Sequence, residues 1–399
     1  MPFRVNAVQR HRIVQVLFAN RYRILIDREQ LCKMILQFFV LVLALLVMSQ
    51  YARFLVHNVP LFLNAPDDQG FYPDLVVAKD GSGNYRTVSE AVAAVPNFDK
   101  ERFRIAVKAG VYHENVVVGP EKTNVMLIGA GKGLTVITSN LSEAAGWKPA
   151  ATATMSISGD GFVALYMSFE NTAGRSSGYG VAVRSVSDKS AFYQCSFTGD
   201  QGTLYADSGR QLYVECEIAG GRDVILGGGR AIFHNGTLYA RAPRPGKDVI
   251  LTANRRSHWN SPEGFVFRQY TVKAAAGGVD EVVLLPRSTE VYLGRPLGSY
   301  SRVVFLRSFL DHVVSPAGWR VGGGKPSPAT ATVYYGEYQN TGPGADSSGR
   351  VAIPGVRKTM TADEAATLAG LTFIDGDTWL PSIGIPILYD SLGNNTSVS

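Results

Sequence analysis

The chain has 399 residues, of which 18% are charged and 46% hydrophobic, with 42 glycines and 19 prolines. This composition is typical of a folded protein and excludes a disordered, collagen-like or coiled-coil chain. The formal net charge of +6 would ordinarily suggest an acidic partner such as nucleic acid. Residues 1–60, however, hold eight of the 39 basic residues and two of the 33 acidic ones, which leaves 31 of each in the rest of the chain. The charge pattern therefore gives no support to nucleic-acid binding.

Residues 1–60 have the pattern of an export leader. An arginine-rich stretch precedes the segment 34–48, which is apolar apart from Gln37. A basic region followed by an apolar one is typical of a signal peptide, and the run is short for a spanning helix, which needs about 20 apolar residues. We expect a cleaved signal or a signal anchor, with a buried core helix as the third alternative. In both export cases the body of the protein lies on the non-cytoplasmic side, and only the segment 34–48 contacts the membrane.

Between residues 160 and 240 the sequence repeats itself. The segment 192–197 recurs at 213–218 and again at 233–238, and an earlier copy lies at 164–169. We call the shift from 192 to 213 the coil step. Short apolar strands at this spacing, separated by Gly, Asp and Ser, predict the coils of a β-solenoid over about residues 70–390. The shift from 164 to 192 is longer, which predicts a bulged loop around 175–180. Further strands are predicted at 104–108, 125–128, 135–138, 248–252, 281–285 and 303–306.

The repeat brings two of the three cysteines together. Equivalent positions of neighbouring coils lie about 4.8 Å apart, so Cys195 and Cys216 should be neighbours in the interior. With Cys32 as the only other cysteine, a disulfide scaffold is excluded and no zinc-ligand spacing is present. Two buried thiols that act as small hydrophobic side chains are one alternative, and a disulfide between them is the other.

Two short helices are predicted outside the coils. Residues 87–95 have helical propensity and end before Pro96, and we expect them to cap the N-terminal end of the solenoid core. Residues 361–369 begin with a Thr N-cap, carry an acidic residue three positions later and precede Gly370, which predicts a helix on the flank.

The same coil step places polar residues side by side. Gly202 should lie beside Asp223, and Gln201 beside Arg222. Asp223 precedes Val-Ile-Leu, where a carboxylate is unfavourable unless a cation compensates its charge. Asp223 is therefore either a turn residue, as a cap or a partner of Arg222, or a functional carboxylate.

Nine segments of the chain carry a family resemblance. They are residues 77–83, 109–114, 159–162, 169–174, 187–193, 293–296, 316–319, 338–345 and 379–382. In this order they resemble the plant-type pectin methylesterases, or pectinesterases. The resemblance implies an all-β fold, the single-stranded right-handed parallel β-helix of the pectin lyase-like solenoids with short flanking helices. It also implies hydrolysis of the methyl esters of cell-wall homogalacturonan to de-esterified pectin and methanol, with no metal or organic cofactor.

The resemblance also assigns catalytic roles. Asp223 falls at the position of the nucleophile, and Arg295, in Leu-Gly-Arg-Pro, at that of the residue which orients it through a planar bidentate contact. Gln201 falls at the position of an oxyanion donor.

Four further residues are candidates for substrate contact. Tyr205 and Trp319 match positions that line the family's cleft, where aromatic faces suit sugar rings. Thr203 and Tyr179 are the other two. Tyr205 and Trp319 could equally be core residues on sequence grounds alone.

Two catalytic positions differ from the family's pattern. Gly202 replaces the second Asp, the general acid for the departing methoxide, and Tyr179 replaces a second oxyanion Gln; Leu297 also replaces a cleft Trp. A general acid is typically worth about 10²–10⁴ in rate and an oxyanion donor about 10²–10³, so we expect reduced activity. Asp200 is either a substitute acid or an ordinary solvated turn residue. Tyr179 is either a substitute oxyanion donor through its hydroxyl or a loop aromatic that only contacts sugar.

These features predict a leader (1–60), a linker (61–72), a catalytic β-helix domain (73–390) and a flexible tail (391–399). We do not expect the helical inhibitor-like pro-region of many plant members, because the leader takes up most of the chain before the domain. The expected partners of a secreted, cell-wall, monomeric protein are methyl-esterified pectin and a pectinesterase inhibitor protein. Two functions remain open: a pectinesterase of reduced efficiency, and an inactive β-helix that binds pectin or a protein partner.

Overall fold

The computed structural model describes residues 72–275, 285–286, 288–321 and 331–383, with the backbone of two short strands near the N-terminus. The chain divides into two compact units, Met1–Leu61 and Phe62–Ser399. In the first unit, Ile13–Gln15 and Leu25–Asp27 pair as antiparallel strands. The predicted apolar segment 34–48 and the tail 391–399 lie outside the described residues, as does the linker except for its last residue. Within the described ranges, no helix is long and apolar enough to span a bilayer.

The second unit is built from three parallel sheets, and successive coils of the chain add their strands to these sheets in chain order. Sheet 1 has eleven strands, sheet 2 has eight and sheet 3 has seven. Because every neighbour in these sheets comes from the preceding or the following coil, the unit is a parallel β-helix, as the repeat predicted.

The strands of sheet 1 are Leu75–Val77, Phe103–Val107, Val125–Gly129, Val163–Leu165, Ser190–Tyr193, Arg210–Val214, Arg230–His234, Gly264–Arg268, Arg302–Leu306, Tyr334–Tyr338 and Val356–Arg357. Those of sheet 2 are Gly110–His113, Thr135–Ser139, Ser168–Asn171, Ser196–Thr198, Glu217–Gly220, Thr237–Ala240, Thr271–Ala274 and Phe309–Leu310. Those of sheet 3 are Val116–Val118, Met155–Ile157, Val183–Ser185, Leu204–Ala206, Ile225–Gly227, Thr252–Asn254 and Arg295–Pro296. Val249–Ile250 and Val291–Tyr292 form a separate parallel pair.

The strand register confirms the repeat. Phe192 pairs with Tyr213, and Tyr213 pairs with Phe233, as the spacing of the repeated segments predicted. The strands predicted at 104–108, 125–128, 135–138 and 303–306 are present within one residue at each end. The strand predicted at 248–252 is interrupted at Leu251. The one predicted at 281–285 lies outside the described residues, apart from Leu285, which is not in a strand.

The interior is filled by aligned side chains. The rings of Phe192, Tyr213, Phe233, Phe267 and Phe305 stack almost parallel, with centroids 4.5–4.9 Å apart, because the strand spacing of about 4.8 Å matches face-to-face contact. Cys195 and Cys216 line the same interior as free, fully buried thiols, and burial raises the pKa of the Cys195 thiol to about 12. They therefore act as small hydrophobic side chains, the first of the two alternatives.

The corner that follows sheet 1 has a recurring conformation. From Val163–Leu165 to Tyr334–Tyr338, the residue directly after each strand has a φ of 47–56°. These residues are Tyr166, Gln194, Glu215, Asn235, Gln269, Arg307 and Gln339. A left-handed residue that is not glycine costs about 1–2 kcal/mol, so the stacked sheets on both sides must hold the corner in place.

Both predicted helices are present. Val88–Ala94 begins at a capping box of Thr87 and Glu90 and buries Val88, Ala91 and Val92 against the core. Ala362–Ala369 begins at a second capping box, of Thr361 and Glu364, and is followed by the 3-10 turns Leu371–Ile374, Gly376–Thr378 and Leu380–Ile383. This C-terminal segment covers the outer face of sheet 1. Further 3-10 turns in the described ranges are Glu143–Ala145, Pro149–Thr152 and Pro343–Ala345.

Candidate active site

One row of side chains crosses sheet 3 along the axis of the β-helix. Arg184, Tyr205, Leu226, Ala253 and Arg295 are register partners on successive strands. Side chains alternate between the two faces of a strand, and the neighbours of Tyr205 in its strand are fully buried. The row therefore lies on the outer face of the sheet.

Asp223 lies in the turn before the strand Ile225–Gly227. Its carboxylate contacts Arg295, the last residue of the row. Arg295 Nε donates to Asp223 Oδ1 at 2.7 Å, and Nη2 donates to Oδ2 at 2.8 Å. Asp223 is fully buried, whereas 25% of the Arg295 side chain is exposed. The hydrogen bonds to Asp223 raise the pKa of Arg295. The predicted bidentate contact is thus present, and no described ion pair joins Asp223 to Arg222, the other partner considered.

Tyr179 also contacts Asp223. Its hydroxyl donates to Asp223 Oδ2 at 2.9 Å, and its backbone N–H donates to Glu143 Oε2 at 2.8 Å. Burial, followed by the charge of Asp223, raises the pKa of the Tyr179 hydroxyl to about 12. Tyr179 is therefore a fixed neighbour of the candidate nucleophile, a contact that the sequence analysis did not predict.

Gly202 and Tyr179 share one space. Gly202 has a φ of +76°, and a Cβ atom added to it would lie 2.5 Å from Tyr179 Cδ1 and 3.0 Å from Cε1. Real Cβ atoms do not approach that closely, so the tyrosine ring occupies the volume that a side chain at position 202 would need. The two differences from the family's pattern, at positions 179 and 202, are therefore linked sterically: the tyrosine ring fits because residue 202 is glycine. The sequence indicated only that the two segments are neighbours: Gly180 lies one coil step before Gln201, whose carbonyl accepts its N–H, and the same step aligns Tyr179 with Asp200 rather than with Gly202.

Gln201 joins the same cluster, but Asp200 does not. Gln201 pairs with Arg222 through the backbone, and a hydrogen bond from its side chain opposes the rise in the pKa of Tyr179. The Asp200 carboxylate pairs instead with Arg241 at 3.8 Å. The described contacts therefore give no support to Asp200 as a substitute acid.

A cavity of about 210 Å³ opens beside Gln201. Its other lining residues are Arg175, Asp200, Arg222, Arg244 and Lys247. The ion pairs within the described part of the chain include none of the four cations, while Asp200 is paired with Arg241. The cavity is thus a local positive centre in a domain with balanced charge.

Two of the candidates for substrate contact are inside the protein. Trp319 is 1% exposed, stacks on Tyr335 with centroids 4.3 Å apart and donates from Nε1 to Glu337. Thr203 is fully buried, and its hydroxyl donates to the Ala219 carbonyl at 3.0 Å. Neither offers a surface to a sugar ring, so the expectation that they contact substrate is corrected: both are structural.

Tyr205 keeps a partly exposed ring on the outer row. Arg184 and Arg255 lie over it, with guanidinium carbons 5.7 and 5.9 Å from the ring centroid, and Arg255 Nη1 donates to its hydroxyl at 3.2 Å. Leu297, which stands at the position of the family's cleft Trp, is 39% exposed.

Comparison with known proteins identifies the family. The family model described as Pectinesterase matches residues 74–377. The chain belongs to the pectinesterase family. The probable pectinesterase/pectinesterase inhibitor 39 of Arabidopsis thaliana is 43% identical over 337 residues, which are 84% of this chain and 62% of that relative.

Solved structures of pectin methylesterases agree with this assignment. The enzyme from carrot is 41% identical with a TM-score of 0.74, and the match covers 79% of this chain and 97% of the carrot chain. The enzyme from Aspergillus niger is 27% identical with a TM-score of 0.62, and the match covers 75% and 95% of the two chains. The predicted right-handed parallel β-helix is therefore confirmed. The chain spans between 54% and 62% of the length of the first five curated relatives.

Proposed function

We propose that this chain is a pectinesterase that hydrolyses the methyl esters of homogalacturonan to free carboxylates and methanol. One observation carries the proposal: the buried Asp223 carboxylate is held in a bidentate contact by Arg295. Burial of both ions of such a pair carries a desolvation cost, and this pair differs from a fully enclosed structural one because 25% of the Arg295 side chain is exposed to solvent.

In the proposed reaction an oxygen of Asp223 attacks the ester carbonyl carbon. Arg295 compensates the charge of the carboxylate and fixes its plane, since a guanidinium matches a carboxylate in a planar fork. Gln201, beside the same cluster, donates to the oxyanion that forms on the carbonyl oxygen. Expulsion of methoxide leaves an acyl group on Asp223, which water then hydrolyses.

The cationic cavity and the outer row suit a partly charged polysaccharide. Partly de-esterified pectin carries carboxylates, and Arg175, Arg222, Arg244 and Lys247 can bind them next to Gln201. Tyr205 offers a partly exposed ring on the same sheet, and aromatic faces pack against the apolar faces of sugar rings.

The context of the protein is part of this proposal. The leader directs export of the chain to the cell wall, and the segment 34–48 is either removed during export or anchors the chain in the membrane. The protein acts there as a monomer on methyl-esterified pectin, and a pectinesterase inhibitor protein is its second partner. The names of the Arabidopsis relatives, which include "pectinesterase inhibitor", support this second partner.

One observation favours the alternative, an inactive β-helix that binds pectin without turnover. The Tyr179 hydroxyl occupies one lone pair of Asp223 Oδ2, and a third hydrogen bond lowers the nucleophilicity of a carboxylate. Release of methanol from methylated pectin by the purified chain and by its D223N variant separates the two functions. We expect release by the parent only, with similar pectin binding by both. If the parent releases no more methanol than D223N and both still bind pectin, the result supports the alternative.

A further inference from the structure

The proposed reaction, on which this inference rests, requires a proton donor for the departing methoxide. Glycine at position 202 has no side chain to supply one. In the described part of the chain, the side chains hydrogen-bonded to Asp223 are those of Arg295 and Tyr179. A guanidinium is not deprotonated in proteins, whereas a phenol can lose its proton.

We propose that Tyr179 is the general acid of this chain and, in the second half of the reaction, its general base. Its ring fills the space above Gly202, so its hydroxyl approaches Asp223 from the side where an acid on position 202 would stand. The distance of 2.9 Å to Asp223 Oδ2 places the hydroxyl within reach of the groups on the carbon that this oxygen attacks.

The steps balance as follows. An Asp223 oxygen forms a bond to the ester carbon, the bond from that carbon to the methoxy oxygen breaks, and this oxygen takes the Tyr179 proton and leaves as methanol. Tyr179 is then a phenolate beside Arg295. A water molecule attacks the acyl carbon and gives one proton back to the phenolate, the bond to Asp223 breaks, and the new uronic acid loses its proton to solvent. The net reaction is ester and water to acid and methanol.

The electrostatics favour transfer at the required moment. Burial, the charge of Asp223 and its hydrogen bond raise the pKa of Tyr179, while Arg295 and Gln201 lower it. As Asp223 bonds to the ester carbon, its negative charge moves to the carbonyl oxygen and then to the departing methoxy oxygen. This methoxy oxygen is then the strongest base within reach of the Tyr179 hydroxyl. A phenol is also a stronger acid than methanol, so the transfer is downhill.

The Y179F variant tests this role, because it removes the hydroxyl and keeps the ring over Gly202. The substrates are the methyl and 2,2,2-trifluoroethyl esters of one oligogalacturonate, since trifluoroethoxide is a good leaving group that needs little protonation. For the methyl ester we expect kcat to fall about 10²-fold or more with little change in KM. For the trifluoroethyl ester we expect a burst of one equivalent of alcohol at about the parent rate, followed by slow turnover because the base is also missing.

Y239F is the matched control. Tyr239 lies on the sheet 2 strand Thr237–Ala240, and the variant should keep the parent kcat. Equal methyl-ester activity of Y179F and the parent overturns the role of Tyr179. An equal loss on both esters in the rate of alcohol release during the first turnover also overturns it, because it indicates a positioning effect only. A parent that releases no alcohol from either ester overturns the proposed function, and with it this role.

Discussion

Asp223 receives three hydrogen bonds, two from Arg295 and one from Tyr179, and it has no exposed surface. Because a buried charge is tolerated only with such compensation, the geometry of this one carboxylate depends on both partners. Arg295 fixes the plane of the carboxylate, and Tyr179 brings the only transferable proton among its described side-chain partners.

Replacement of Arg295 by lysine tests the bidentate contact. R295K keeps the positive charge but cannot form two parallel hydrogen bonds, so we expect kcat for methanol release to fall about 10²-fold. R210K is the matched control. Arg210, on sheet 1, forms a similar bidentate contact with Asp188 and plays no part in the site. Equal kcat values for R295K and the parent would contradict the account.

The shared space of Gly202 and Tyr179 predicts strong coupling in stability. G202D alone forces its Cβ against the tyrosine ring, which should lower the free energy of unfolding by about 1–3 kcal/mol. In a Y179Q background the same change meets a shorter, flexible side chain and should cost less. Denaturant unfolding of the parent, both single variants and the double variant gives the coupling energy. Additive effects would show that the ring does not fill the position.

The site could be predicted from sequence only in part. The resemblance brought Asp223 and Arg295 together although they lie far apart in the sequence. Trp319 was matched to the cleft and Thr203 was named as a substrate contact, but both are buried, because sequence similarity marks a position as important without showing which face it occupies. The contact of Tyr179 with Asp223 was missed because the coil step aligns Tyr179 with Asp200, so strand spacing alone does not bring its side chain to Asp223.

At the scale of elements, the strands were predictable and the corners were not. The strands have a fixed period and an apolar pattern, so their register followed from spacing. The seven left-handed corner residues after sheet 1 are of five types: Tyr, Gln, Glu, Asn and Arg. Their conformation is imposed by the stacked sheets, and no local pattern indicates it.

A buried ion pair stabilises the strand that carries Arg295. Arg350 donates from Nε and Nη2 to Glu337 at 2.8 and 2.9 Å, and the two side chains are 0% and 5% exposed. Glu337 also accepts from Trp319, which pairs with Gly294, the residue before Arg295. The pair thus braces the strand that carries Arg295.

We expect R350M to lower the free energy of unfolding by about 3–5 kcal/mol, because it leaves Glu337 charged and buried without its partner. R357M is the control: Arg357 and Glu364 form a longer, half-exposed pair at 3.5 Å, and such pairs contribute about 0–1 kcal/mol. Denaturant unfolding measures both. A loss for R350M as small as that for R357M would contradict a structural role for the pair.

At the scale of the whole molecule, the position of the charge decides how a polyanion binds. Beyond residue 60 the basic and acidic residues are equal in number, so attraction must come from local centres. The cavity beside Gln201 brings four cations together, and solvent-exposed charges of this kind are screened within about 8 Å at physiological salt.

The KM for partly de-esterified pectin should therefore rise with sodium chloride while kcat changes little. K247E, in the cavity wall, should raise KM at low salt. K100E makes the same change of charge at an exposed residue that does not line the cavity, and it should leave KM unchanged. Equal effects of the two variants would show that only the net charge matters.

On the proposed function, the pair of Tyr179 and Gly202 rearranges the catalytic site without abolishing turnover. The most direct test is methanol release from methylated pectin by the parent, by Y179Q/G202D, which carries the family's residues at both positions, and by D223N as the blank. We expect the parent to release methanol clearly above the D223N blank. Release by Y179Q/G202D together with a parent equal to the blank would contradict it.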